Sequence, residues 1–174
     1  MSQNYYVLQA PARMENFQPH MHMRGKSMSV EAVYPDGRKE VLSAVNRFQW
    51  NWHINYVMPT SVAPLLPKGT VLVFTAWHDN TAKNPNNPDP RQWVGWGDRT
   101  VDEMAHAWVD VTYLDQEEFD RLVAERKAHR VRRGSDGQLC SPHLSWTRLR
   151  LPCGQPRMKI GRLLATFLIA LPPP

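Results

Sequence analysis

Cysteine is nearly absent: two residues in 174, Cys140 and Cys153, both in the last third. The first two thirds therefore hold together without a disulfide or a thiolate metal site. Long apolar runs are missing too. The longest, residues 163–171, has nine residues, about half of the roughly 20 that a membrane helix needs, so no membrane span is expected. Glycine is sparse at 9, and the 15 prolines follow no period, which excludes a collagen or a repetitive linker. The first ten residues, MSQNYYVLQA, offer neither a basic opening nor a long apolar stretch, so no export signal is read there. What remains, 42% hydrophobic and 21% charged residues, is enough for one packed domain of ordinary size.

The net charge of +5 would suit a nucleic-acid binder, but its location argues otherwise. Residues 1–115 carry 10 Lys/Arg against 11 Asp/Glu, whereas residues 116–174 carry 11 against 5. The body is nearly neutral and the basicity belongs to the tail. Nucleic-acid recognition needs basic side chains interleaved with aromatics on a folded face, so no nucleic-acid partner is expected.

Residues 1–115 read as a β domain. Residues 26–34 alternate loosely, with Met28, Val30 and Ala32 on one face. Pro35-Asp36-Gly37 then makes a turn and residues 38–45 run outward. This is a hairpin signal, because proline presets φ and Asp-Gly accepts the positive φ of a tight turn. Further strands are expected over 50–58, 70–77 and 101–114, rich in Val, Thr, Trp and Tyr. Six of the seven tryptophans precede residue 115 and read as packing between sheets. The fold class is all-β, an antiparallel jelly roll or β-sandwich. Residues 116–133 change period: Phe119, Leu122, Val123 and Arg126 share a helical face, with acids in front and arginines behind, as the helix dipole favours. Residues 134–174 read as a basic, proline-rich, irregular tail.

His20-Met21-His22 is the sharpest chemical feature. In an extended segment residues i and i+2 project to one side, so both imidazoles face the same way, as a metal pair requires. The same spacing also arises from two half-exposed strand histidines. Of the other five, His53, His78, His106, His129 and His143 look scattered in sequence. His106 stands two residues past Met104 and shares its face in a strand, as a fourth ligand, a supporting donor or a plain strand histidine. His78 precedes Asp79-Asn80-Thr81, where a turn role suffices.

Pro19-His20-Met21-His22-Met23-Arg24-Gly25-Lys26, taken with Gly97-Asp98-Arg99-Thr100-Val101-Asp102-Glu103-Met104, resembles the C-terminal domain of the copper type II, ascorbate-dependent monooxygenases. That family includes peptidylglycine α-hydroxylating monooxygenase and dopamine β-monooxygenase. The likeness spans roughly residues 17–113, and Trp50-Asn51-Trp52, Pro67-Lys68-Gly69-Thr70 and Asp79-Asn80-Thr81 look like its bacterial members. The resemblance implies one catalytic copper held by His20, His22 and Met104, with ascorbate or another reductant. It also implies a location outside the cytoplasm, against the lack of an export signal. Thioether and imidazole donors agree with Cu(I), whereas zinc more often recruits a third histidine or a carboxylate.

Two departures qualify the likeness. Peptide-hydroxylating members hold the substrate carboxylate with an arginine two residues before the first histidine and a tyrosine four after the methionine. Gln18 and Trp108 stand there instead, so peptide amidation is not expected and the substrate is left open. The family's second copper, held by three histidines of a preceding domain, has no counterpart before His20. The chain thus reads as half of a two-copper enzyme, the rest being an N-terminal domain of a longer protein or a separate electron donor. Two other readings stay open: a non-catalytic copper-binding or interaction module, and a Zn(II) site of His20, His22 and His106 supporting hydrolysis.

Overall fold

The computed structural model describes residues 1–135 and 159–167, and they form two antiparallel sheets packed face to face with one helix. The strands are β1 (Ser2–Val7), β2 (Ala12–Met14), β3 (Asn16–Met21), β4 (Gly25–Val33), β5 (Lys39–Val45), β6 (Tyr56–Val57), β7 (Leu65–Leu66), β8 (Val71–His78), β9 (Ala105–Tyr113) and β10 (Lys159–Phe167); α1 is Gln116–Ser135. One sheet runs β1-β8-β4-β5. The other runs β6-β3-β9-β2-β7, with β10 against β9. The chain is an all-β sandwich with a helix after its last long internal strand.

Alternation explains the layers. Met28, Val30 and Ala32 of β4 and Leu72, Phe74 and Ala76 of β8 are fully buried, and they meet Phe17 and Met21 of β3 and Ala105, Ala107, Val109 and Val111 of β9. Each large apolar side chain so removed from water contributes about 1.5–3 kcal/mol. The β4–β5 hairpin forms as its turn residues dictate: Gly37 adopts φ +84, its N–H donates to the Tyr34 carbonyl, and the Arg38 N–H donates to Asp36 Oδ1.

The tryptophans depart from expectation. None of the six described is buried; Trp52 is 69% and Trp93 59% exposed. The two sheets approach over Ala, Val, Leu, Met and Phe, and an indole is too large for the alanine-lined parts of that gap. The strand expected over 50–58 shrinks to β6, because residues 50–55 form a loop that is exposed beyond the half-buried Trp50. The strand expected from residue 101 begins at Ala105, because residues 95–104 fold back on themselves: the Gly97 N–H donates to the Glu103 carbonyl and the Glu103 N–H to the Gly95 carbonyl.

Helix α1 begins where Asp115 accepts the Glu118 N–H at 2.8 Å, satisfying one of the free donors of the first turn. Phe119 is buried, and Arg126 donates to the carbonyls of Ala63 and Thr60, which fastens the helix to the β6–β7 connection. The stretch from residue 134, read as irregular, contributes β10, which pairs with β9 from Lys159↔Tyr113 to Phe167↔Ala105. Residues 136–158 and 168–174 of that stretch, with both cysteines, lie outside the described residues. Among the described residues, no helix is long and apolar enough to cross a membrane.

Candidate metal centre

The site grows from the pairing of β3 with β9. Gln18↔Trp108 and His20↔His106 are direct partners on this ladder. Phe17 and Met21 on one side and Ala105, Ala107 and Val109 on the other point into the core, so alternation turns His20 and His106 to the opposite face. Their ring centroids stand 5.8 Å apart. β3 ends at Met21, and a turn follows in which the Gly25 N–H donates to the His22 carbonyl at 2.9 Å. His22 therefore lies just beyond the strand, its ring centroid 5.4 Å from that of His20.

A fourth imidazole completes the cluster. His53, on the loop between β5 and β6, places Nδ1 3.1 Å from His20 Nδ1, with ring centroids 4.5 Å apart. His53 and His106 therefore join His20 and His22, where sequence order alone left them scattered. Burial and the three neighbouring imidazoles push the His20 pKa down to about 4, and burial with the nearby His22 lowers that of His106. His20 is accordingly a neutral ring with a lone pair at physiological pH.

The loop before β9 positions the rest. Arg99 pairs with the Asp102 carboxylate through two bonds of 2.9 and 2.7 Å, and that carboxylate occupies the space a Cβ on Gly97 would need. The Asp102 carbonyl then lies 3.2 Å from His22 Nδ1. A carbonyl only accepts, so Nδ1 carries the proton and Nε2 is left as the lone-pair donor, the usual backbone support of a metal-binding histidine. Met104 follows, buried at 7% exposure, its N–H donating to Glu103 Oε1 at 3.0 Å. Glu103 is completely buried and faces His78, whose Nε2 is 3.4 Å from Oε1. His78 thus sits behind Met104 rather than serving the adjacent turn; Asp79 makes that turn alone, accepting from the Thr81 N–H and hydroxyl.

Gly25 ties the two motifs together by its lack of a side chain. A Cβ there would stand 2.6 Å from Met21 Cβ, 3.0 Å from Phe48 Cδ1 and 3.1 Å from the His22 carbonyl oxygen. Gly25→Ala is therefore expected to lower stability by about 1–3 kcal/mol, the usual cost of overpacking, read as a fall in the urea midpoint. An unchanged midpoint would show that the His22 turn yields freely.

As a donor set the cluster fits a soft or borderline ion. His22 Nε2 is free by tautomer, and His106 Nε2 is buried without a hydrogen-bond partner, an arrangement that costs free energy unless something binds it. As the side chains stand, no three His, Cys, Asp or Glu among the described residues converge on one point, so a bound ion needs a rotamer change or the Met104 thioether. Beside the cluster lies a half-open cavity of about 210 Å³ lined by Pro19, Val45, Arg47, Phe48, Gln49, Trp52, Ile54 and Tyr56. It was not legible in the sequence, because its wall sets Pro19 of β3 against the β5–β6 loop and its two flanking strand ends, about 30 residues away. Comparison with protein families, with curated proteins and with solved structures finds no match to this chain.

Proposed function

We propose that this chain is a copper-dependent monooxygenase domain in which His20, His22 and Met104 hold one copper ion and an apolar substrate lies in the neighbouring cavity. The observation that carries this reading is the His22–Asp102 contact. It joins the His-x-His motif to the residues leading into Met104, two segments about 80 positions apart that the resemblance had linked by sequence alone. Gln18 and Trp108 support it as well. They are direct cross-strand partners, two steps along the same face, so the positions that would bind substrate lie together beside the histidines.

Copper, when bound, supplies the redox chemistry of an oxygen-dependent C–H hydroxylation, with ascorbate or another reductant as electron source. The protein's own residues have simpler tasks. His20 and His22 offer imidazole nitrogens, Met104 offers a soft sulfur, and the Asp102 carbonyl fixes the His22 ring. Apolar walls from Phe48, Trp52 and Ile54 keep water from a substrate lodged beside His20. The absence of a charge at Gln18 disfavours a carboxylate anchor at that position.

The test is metal affinity in both oxidation states. Wild type is expected to bind one copper, and Met104→Ala to weaken Cu(I) by about tenfold or more while changing Cu(II) less. Equal loss of both would remove the thioether from the ligand set. Oxygen uptake with ascorbate then separates enzyme from module, since a copper-loaded chain that consumes no oxygen with any reductant favours a binding role. The unpartnered His106 Nε2 favours a second reading, Zn(II) on His20, His22 and His106. Zinc retained against excess Cu(I) would select it.

A further inference from the structure

We propose that His53 is an additional ligand of the oxidised copper ion, delivered from the β5–β6 loop to the His20 end of the centre. This rests on the copper reading above and extends the donor set beyond His20, His22 and Met104.

The nitrogen-to-nitrogen contact is the first argument. Two imidazole nitrogens bound about 2.0 Å from one ion stand about 2.8 Å apart at a right angle and about 3.3 Å apart at a tetrahedral angle. The His20 and His53 Nδ1 atoms, 3.1 Å apart, lie between these limits, so their separation suits a shared ion in place of the hydrogen bond that now joins them, with a ring rotation needed to bring His22 to the same point. His20 is the hub of the cluster, with ring contacts to His22, His53 and His106.

Packing is the second. His53 is exposed but held: Phe48 stacks on its ring at 5.5 Å and 24°. Phe48 itself is buried, its N–H donates to the Lys26 carbonyl, and its ring lies against the space above Gly25. The residues that shape the His22 turn thus also set the approach of His53, a preorganisation that a casual surface histidine lacks.

Ligand preference assigns the oxidation state. Cu(II) favours several nitrogen donors in a tetragonal arrangement, whereas a thioether favours Cu(I). His53 on the exposed side suits the former and buried Met104 the latter.

The experiment uses the full chain loaded with Cu(II), with coordinated imidazoles counted by pulsed electron paramagnetic resonance. Wild type is expected to show three coupled imidazoles, falling to two in His53→Ala. Cu(II) affinity should fall by about tenfold or more, with Cu(I) affinity nearly unchanged. His53→Gln, which keeps the loop polar, should give the same loss, and the unfolding midpoints of both metal-free variants should match wild type. Two imidazoles in wild type and variants alike, with equal Cu(II) affinity, overturn the role of His53 and leave the copper reading standing. A wild-type chain that binds no copper overturns both.

Discussion

Arg24→Ala is expected to cost about 3–5 kcal/mol of folding stability, from the cavity left by a large buried side chain together with its lost hydrogen bonds. Arg24 is 1% exposed. Its Nε donates to Asn80 Oδ1 at 3.0 Å and its Nη1 to the Val101 carbonyl at 2.7 Å, while its own carbonyl accepts the Asp79 N–H. One side chain therefore links the His22 turn, the loop after β8 and the loop before β9. Truncation removes the donor to the Val101 carbonyl, leaves the Asn80 amide oxygen with Asn87 Nδ2 alone, and opens a cavity where a fully buried side chain stood. Urea unfolding should show the midpoint falling by about 2 M, taking a slope near 2 kcal/mol/M for a protein of this size. Arg24→Lys should recover only part of this, because an ammonium cannot reproduce the two-pronged guanidinium contact. The variant should also lose metal affinity, since Val101 adjoins the Asp102 carbonyl that orients His22. A midpoint within about 0.5 M of wild type would mean that water replaces the guanidinium and that the loops hold without it.

The core and the site differed in how far the sequence disclosed them. Met28, Val30 and Ala32 were legible as a buried face because a strand repeats every two residues, and Pro35-Asp36-Gly37 as a turn because its residues carry the required torsions. Helix α1 was legible from Phe119, Leu122, Val123 and Arg126. β3 was harder. Pro19, a poor strand former, lies within it, and it pairs mainly with β9, far along the chain, so its existence depends on a partner no local pattern reveals. β10 lay hidden for the same reason, its pairing with β9 setting Thr166 opposite His106. The tryptophans misled because hydrophobicity alone does not say whether an indole fits between sheets.

At the site, His20 and His22 were visible through their spacing and Met104 only through the resemblance. His106 was weighed because of its place beside Met104, and the structure gives it a reason, the direct pairing with His20. His53 carried no signal. It lies 33 positions from His20, inside a stretch whose aromatics suggested a strand, and only the folding of that stretch into a loop brings it to the cluster. The Arg99–Asp102 pair and the Gly97 contact show why the second motif has its residues in that order. The glycine admits the carboxylate, the carboxylate pins the arginine, and the turn so formed presents a carbonyl to His22.

Glu103→Gln is expected to stabilise the metal-free chain at pH 8 and to leave it nearly unchanged at pH 5. Burial raises the Glu103 carboxyl to about 7, against the opposing pull of the Met104 N–H and Arg24, so the folded state holds a proton that the unfolded chain releases near its ordinary value of 4.5. Its contribution is present in full below pH 4.5 and is lost as pH rises through 7. Glutamine keeps an acceptor for the Met104 N–H and cannot ionise, so it escapes that loss; the gain at pH 8 should be about 1–3 kcal/mol, allowing for relaxation around the buried group. The histidines act in the other direction. Burial above all pushes His20 and His78 down to about 4, so the folded state excludes protons that the unfolded chain binds near 6.5. Their contribution is full above pH 6.5 and is lost as pH falls through 4. Between pH 6.5 and 4.5 Glu103 offsets part of this in wild type. In Glu103→Gln nothing offsets it, and the urea midpoint should fall more steeply on acidification. A variant less stable than wild type at pH 8 would mean that the ionised Glu103 carboxylate is held favourably there by the positive charge of Arg24, which outweighs its burial. In that case Arg24→Ala and Glu103→Gln combined should cost less than the sum of the two alone.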